Sequence, residues 1–431
     1  METLTTKQIT EILQDELLVA LGCTEPIAIA LCAAEARSLL GKEPERADVY
    51  CSGNIIKNTH SVKVPHANGR KGIPLAAAMG ICGGDSSKLL QVLETVDEAA
   101  FERACQMVDE NRIRVHLAKV PHSLYIRVEL RERDHLAITE IREQHTHFSK
   151  KIIDQTVLLD EGDSSGQEDA RKAELSKWKG WIRFKDAWEL SQTIDFEAEK
   201  EIAALLRQQV SYNRAIGREG IDHPWGQEVG RTLIQDEKAS DTDKIIAYAA
   251  AGSDARMSGC SMPVVINSGS GNQGMTVSIP IIEQAELIHA SEDELLRALL
   301  LANLMSIHEK HYIGNLSAYC GAVTAAAASS AGLAMLLGED KETAERAMIN
   351  TLAISSGMIC DGAKASCAGK IAVSLKNAFM GLEMARKGRV FGQGEGILGD
   401  RLESTIQNVG RLAAQGMVGT DQEILQIMIG E

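Results

Sequence analysis

Three of the nine cysteines in this chain of 431 residues, Cys320, Cys360 and Cys367, stand in polar settings bordered by Gly or Ala. Three thiolates on separate segments can hold three corners of a [4Fe–4S] cube and leave the fourth iron open as a Lewis acid. A closed structural cluster uses four. Cys320 precedes an Ala-rich helix expected over Gly321 to Leu337, and Cys367 precedes one expected over Ala368 to Lys387. The macrodipole at those helix starts favours the thiolate that iron needs. Cys360 opens the loop Cys360-Asp361-Gly362-Ala363-Lys364-Ala365-Ser366, short enough to bring Cys367 to the same metal. No C-x-x-C run supports a cluster, and all three can be read instead as small buried hydrophobes, which is what most free cysteines are.

Cys23 is a different kind of thiol. In Gly22-Cys23-Thr24-Glu25-Pro26 it sits before a helix expected from Pro26 to Leu40, with Pro26 in the first turn. A thiolate there can act as a general base or nucleophile beside the Glu25 carboxylate. The bland alternative is a buried residue at a joint between two helices, the first carrying an apolar stripe through Leu17 and Leu18. Cys32 and Cys105 read as core, while Cys51, Cys82 and Cys260 carry no reading.

Two polar loops can hold an anion. Asn267-Ser268-Gly269-Ser270-Gly271-Asn272-Gln273-Gly274 follows the strand-like Val264-Val265-Ile266. Its glycines let backbone N–H groups converge, and Ser270, Asn272 and Gln273 add donors. Ser52-Gly53-Asn54-Ile55-Ile56-Lys57-Asn58 reads as a second turn, offering Asn54, Lys57 and Asn58 to a substrate carboxylate, or simply as a strand end. His308-Glu309-Lys310-His311 places its second His one position too early for the zinc-peptidase helix, which excludes that chemistry. His145-Thr146-His147 reads as an exposed strand end.

The elements that must position these residues divide in two. Segments 47–52, 112–117, 124–130 and 136–141 read as strands of an antiparallel sheet, covered by helices such as Ser87 to Asn111. Beyond Asp195 nearly every segment has helical period. The fold class is therefore α+β: an N-terminal α+β region over 1–190 and a mostly α-helical region over 191–431, with 160–170 as the candidate linker. The net charge of −15 argues against nucleic-acid or anionic-membrane partners. It leaves open a small amino-acid substrate and a homodimer. An odd cysteine count and no signal peptide at the start indicate a cytoplasmic protein.

Taken together, these residues resemble the L-cysteine desulfidase family, related to the catalytic α region of the iron–sulfur L-serine dehydratases. The matching pieces are Gly22 to Pro26, Ser52 to Asn58, Ser268 to Gly274, Tyr319-Cys320-Gly321 and Met358 to Cys367, and the likeness spans nearly the whole chain. The resemblance implies that Cys320, Cys360 and Cys367 are [4Fe–4S] ligands and that Cys23 takes the substrate α-proton. It implies a β-elimination without pyridoxal phosphate that turns L-cysteine into pyruvate, ammonia and hydrogen sulfide; deamination of L-serine on the same cluster is the alternative. The chain lacks a recognisable regulatory domain, and it has Cys360-Asp361-Gly362 where the serine dehydratases have Cys-Asp-Pro. Both departures favour cysteine over serine. Ser270 to Gly274 also resembles the substrate loop of pyridoxal-phosphate eliminases, but Lys238 and Lys244 lack the Ser-x-Lys context of their Schiff-base lysine. A redox-sensing or structural cluster protein would need neither an open fourth position nor two donor-rich loops.

Overall fold

The computed structural model describes residues 3–162, 167–236, 238–314 and 316–430. Helix α1 (Thr6–Glu16) begins at Thr5, which exchanges hydrogen bonds with Gln8 in a capping box. Its apolar stripe does not carry the helix through Leu17 and Leu18. A short strand, β1 (Val19–Leu21), intervenes and pairs antiparallel with a strand at Pro263–Val265. Distant pairing has overridden the local helical period. Helix α2 (Thr24–Leu40) follows directly, with Cys23 at its N-cap position.

Next come β2 (Arg46–Cys51), α3 (Gly53–Thr59), α4 (Ile73–Gly83) and α5 (Glu98–Asp109). Strands β3 (Ile113–Leu117), β4 (Tyr125–Glu132), β5 (His135–Arg142), β6 (Phe148–Ile153) and β7 (Thr156–Asp160) complete a six-stranded sheet. Its order is β3-β2-β4-β5-β6-β7. The sheet is mixed rather than purely antiparallel, because β2 and β3 run parallel. The three helices between those strands supply the crossover that a parallel pair requires. Two further expectations change here. Ser87 to Asn111 is not one helix: Leu89 adopts a φ of 48°, and Asp97 caps a new helix by accepting from the Ala100 N–H. Ser52 to Asn58 is not a turn but the start and body of α3, with Ile55 fully buried.

The rest is helical, as the sequence pattern indicates. The elements are α6 (Gln167–Trp181), α7 (Phe184–Thr193), α8 (Lys200–Asp222), α9 (Val229–Leu233), α10 (Asp241–Met257), β8 (Pro263–Val265) and α11 (Gly271–Leu287). Then follow α12 (Glu292–Ile313), α13 (Gly321–Leu336), α14 (Lys341–Ser355), α15 (Cys367–Arg386), α16 (Leu402–Arg411) and α17 (Val418–Ile429). Of the expected linker, residues 163–166 lie outside the described residues. No described helix is long and apolar enough to cross a membrane. The architecture is α+β, a mixed sheet with its helices followed by a mostly helical half.

Two helices organise the packing. In the helical half, α13 is almost wholly buried and rich in Ala, and α11, α12, α14 and α15 all pack around it. Small side chains let five helices approach one another there. In the first half, α2 lies buried between the sheet and α4. A Cβ on Gly80 of α4 would stand 2.2 Å from the Ala30 carbonyl oxygen of α2, so this crossing needs glycine. Gly80→Ala should lower the urea midpoint at unchanged m-value, by roughly 1–3 kcal/mol of overpacking. A wild-type midpoint in that variant would contradict the crossing.

Candidate active site

The start of α2, the start of α11, the starts of α13 and α15 and the loop carrying Cys360 all open on one cavity of about 100 Å³. That is room for several water molecules or a small group. Cys23, Cys320, Cys360 and Cys367 line it together, with Asn58, Ser270, Asn272 and Gln273. Asn54 and Lys57 do not. Residues of both halves of one chain thus form the site, although Cys23 and Cys367 lie 344 residues apart in sequence. Cys23 packs in a small apolar cluster with Val62 and Met257, against which Cys367 and Ala363 rest.

Backbone pairing fixes two of the three later cysteines. Tyr319 and Ile359 form an isolated antiparallel bridge. The Cys320 N–H donates to the Met358 carbonyl at 3.1 Å, and the Cys360 N–H to the Ala318 carbonyl at 2.6 Å. Cys320 is the N-cap residue of α13 and Cys367 the first residue of α15. Within the connecting loop Asp361 is bound by both Lys364 and Lys370. The loop rests on α3. Gly362, at φ 96°, leaves a Cβ no room, since it would meet the Lys57 carbonyl oxygen at 2.5 Å. Lys57, only 2 % exposed, pairs with Asp421 of α17 and reaches the Cys360 carbonyl at 3.5 Å. Its ammonium is a strut beneath the cysteine loop rather than a group facing the cavity.

The electrostatics differ from the simple helix-end expectation. Burial pushes the Cys320 thiol up to about 12, with Cys360 adding to the effect, and also raises Cys367. Desolvation of buried sulfur outweighs the macrodipole when no cation is bound. Among the described residues no three His, Cys, Asp or Glu side chains already stand close enough to hold a single metal ion. Lys310 of α12 is the surprise: a buried lysine lining the cavity, with burial lowering its ammonium and Cys360 and Cys320 opposing that shift.

Glu25 organises the surroundings of Cys23. The Cys23 S–H donates to Glu25 Oε2 at 3.0 Å, and Asn58 Nδ2 donates to Oε1 at 2.8 Å. The Thr24 hydroxyl lies within reach of Oε2 at 3.1 Å and of the Gly269 carbonyl at 3.0 Å, which ties α2 to the Ser-Gly loop. His145 Nε2 stands 4.0 Å from Oε1. Burial alone would raise the Glu25 carboxyl, but His145 and the hydrogen bonds from Cys23, Asn58 and its own backbone bring it below the usual range. Burial and the adjacent carboxylate raise the Cys23 thiol well above its ordinary value. The resting pair is thus a thiol donating to a carboxylate. His145 is no exposed strand end: it is 8 % exposed, lines the cavity and packs over Gly269.

Some functional candidates carried no usable signal in sequence. Arg256 sits in a stretch with no motif, Lys310 in the segment His308 to His311 set aside as a zinc helix, and His145 in what reads as a strand end; only the fold brings them to the cavity. His308 hydrogen-bonds Glu403 at 2.8 Å and the Lys179 carbonyl at 3.1 Å, which accounts for it structurally. Lys244 is an exposed residue paired with Asp241. Neither it nor Lys238 lines the cavity.

The serine dehydratase alpha chain family matches residues 87–426. This chain belongs to that family. It is 41 % identical over 425 residues to a UPF0597 protein of Lachnoclostridium phytofermentans, covering 98 % of this chain and 99 % of the relative. It is 42 % identical over 425 residues to a UPF0597 protein of Finegoldia magna, with the same coverage. A UPF0597 protein of Fusobacterium nucleatum matches at 41 % over 431 residues, covering 98 % of each chain. Those names state no activity. Membership makes this chain a dehydratase-type, lyase-class protein of a family that typically depends on iron–sulfur chemistry.

The Cys23–Glu25 contact has a measurable consequence. In wild type, iodoacetamide labelling of the Cys23 peptide should rise only well into the alkaline range, because burial and then the carboxylate disfavour the thiolate. Glu25→Gln removes that charge, lowers the thiol pKa and should shift the labelling profile to lower pH, read by peptide mass spectrometry. An unmoved profile would show that the two groups are not coupled.

Proposed function

We propose that this protein is a [4Fe–4S]-dependent β-eliminase acting on L-cysteine, giving pyruvate, ammonia and hydrogen sulfide. The observation that carries this reading is the single cavity onto which Cys23, Cys320, Cys360 and Cys367 all open. Cys320, Cys360 and Cys367 would hold the cluster. In a cube each cysteine binds a different iron, so the three sulfurs need to share a cavity rather than converge on one ion. Helix N-termini at Cys320 and Cys367, with Lys310 and Lys370 in the lining, suit an anionic group of that kind. When bound, the cluster supplies an open Lewis-acidic iron for the departing sulfur.

The chain's own residues do the proton work. Glu25 accepts the Cys23 S–H proton along their 3.0 Å hydrogen bond, and the thiolate so formed takes the substrate α-proton. The electron pair left on the α-carbon forms the double bond as the Cβ–S bond breaks. Aminoacrylate leaves, tautomerises to the imine and hydrolyses, so the net change is cysteine plus water to the three products, with no redox step. Ser270, Asn272 and Gln273 at the start of α11, with Asn58, line the same cavity as base and cluster ligands and would orient the amino acid there. Deamination of serine would use the same residues with water as the leaving group. Gly362 in place of Pro in the cysteine loop is the feature that favours sulfur.

The two kinds of cysteine should separate experimentally. Serine at position 320, 360 or 367 should cut bound iron in the anaerobically reconstituted protein and abolish sulfide release together. Cys23→Ala should keep its iron and lose about a hundredfold or more of kcat, since the proton acceptor is gone. Full iron in all three serine variants, or near wild-type sulfide release by Cys23→Ala, would overturn the assignment.

A further inference from the structure

The cavity contains a cation that the reaction as described leaves unused. Arg256 lies in the last turn of α10, is 2 % exposed, and lines the cavity. Among the described residues no carboxylate stands within ion-pair distance of it. Its one hydrogen-bond partner is Asn272 Oδ1, at 3.3 Å from Nη1, while its Nε is buried without a partner. Nothing about a structural arginine requires this. The guanidinium is seated over the first turn of α11, where a Cβ on Gly271 would stand 2.4 Å from Arg256 Nε. A guanidinium therefore lies against the positive end of a 17-residue helix, and an anion bound beside both would be held by the two positive ends together. Gln273 of that same turn adds a second donor: it is 3 % exposed, lines the cavity, and its Nε2 has no partner.

We infer that Arg256, with Gln273 and the N-terminus of α11, forms a carboxylate subsite that anchors the substrate and restricts it to amino acids with a free α-carboxylate. This rests on the eliminase reading and adds its specificity determinant. The position suits the chemistry. The α-carbon carries both the carboxylate and the proton to be removed, so anchor and base must be neighbours. Met257, the residue after Arg256, shares a small apolar cluster with Cys23. A planar guanidinium binds a carboxylate through two parallel hydrogen bonds, which fixes the orientation of the α-carbon as well as its distance. Gly271 is what makes room for it.

The test uses the reconstituted full chain and a ligand without a leaving group, so that anchoring is read apart from elimination. By calorimetry the wild type should bind L-alanine at least about tenfold more tightly than L-alaninamide. Arg256→Gln should weaken L-alanine by about tenfold or more and erase the preference for acid over amide. Arg256→Lys, which keeps the charge and the buried stem, should recover part of it. Sulfide release from L-cysteine, assayed in parallel, reports whether the eliminase reading itself stands. Equal affinity of the wild type for acid and amide, no binding of L-alanine, or an undiminished preference in Arg256→Gln would each overturn the subsite.

Discussion

Four helix N-termini face one buried cavity, and the polar chemistry of this protein follows from the charge they impose. Helices α2, α11, α13 and α15 each bring the positive end of a backbone dipole to the same space. Arg256 and Lys370 add full positive charge to the lining, and Lys310 adds an ammonium that burial weakens. Within the lining only Glu25 is a carboxylate, and its capacity is taken by Cys23, Asn58 and Thr24. Such a cavity is built to receive negative charge. Thiolates, an iron–sulfur group and a carboxylate substrate are the anions its geometry suits.

Holding four helix ends so close imposes demands on the rest of the chain. Small residues do most of that work. Alanines along α13 let α11, α12, α14 and α15 approach it, and Gly321 gives the Gln273 side chain room beside Cys320, where a Cβ would meet Oε1 at 2.5 Å. Gly80 brings α4 onto α2, and the pairing of β1 with β8 ties the segment before Cys23 to the segment before the Ser-Gly loop. The C-terminal helix α17 closes the underside, where Asp421 neutralises buried Lys57 beneath the Cys360 loop. Burial of a lysine at 2 % exposure is tolerable only with such a partner. Chain segments from both ends and the middle are therefore needed for a site that uses few of their side chains directly.

The thiols show how context sets reactivity. Position at a helix start favours the thiolate, yet burial raises Cys23, Cys320 and Cys367 instead. For Cys23 the neighbouring carboxylate raises it further, so in the proposed elimination Glu25 is the group that would take the proton before the sulfur acts as a base. A cation supplied at Cys320 and Cys367 would reverse the balance there, since a bound metal deprotonates a coordinating thiol. The same cavity can thus keep Cys23 protonated at rest while a bound cation would favour thiolates at its other cysteines.

Much of this was legible from residue order because it depends on local rules. Proline after Gly-Cys-Thr-Glu marks a helix start, Ala-rich runs with helical period mark the second half, and alternating segments mark β2 to β5; strands β6 and β7, in a shorter polar stretch, went unread. The cysteines, the Ser-Gly loop and the Gly22–Pro26 joint were visible as residue types suited to an acid–base or metal site. What sequence order could not specify is which side chains meet. Arg256 and Lys310 sit in ordinary helices, and His145 in what reads as a strand end, yet all three reach the cavity. Lys57, which local context offers to a substrate, is instead consumed by Asp421, 364 residues away. Charge pairing and desolvation depend on distances in space, which the tertiary packing alone decided.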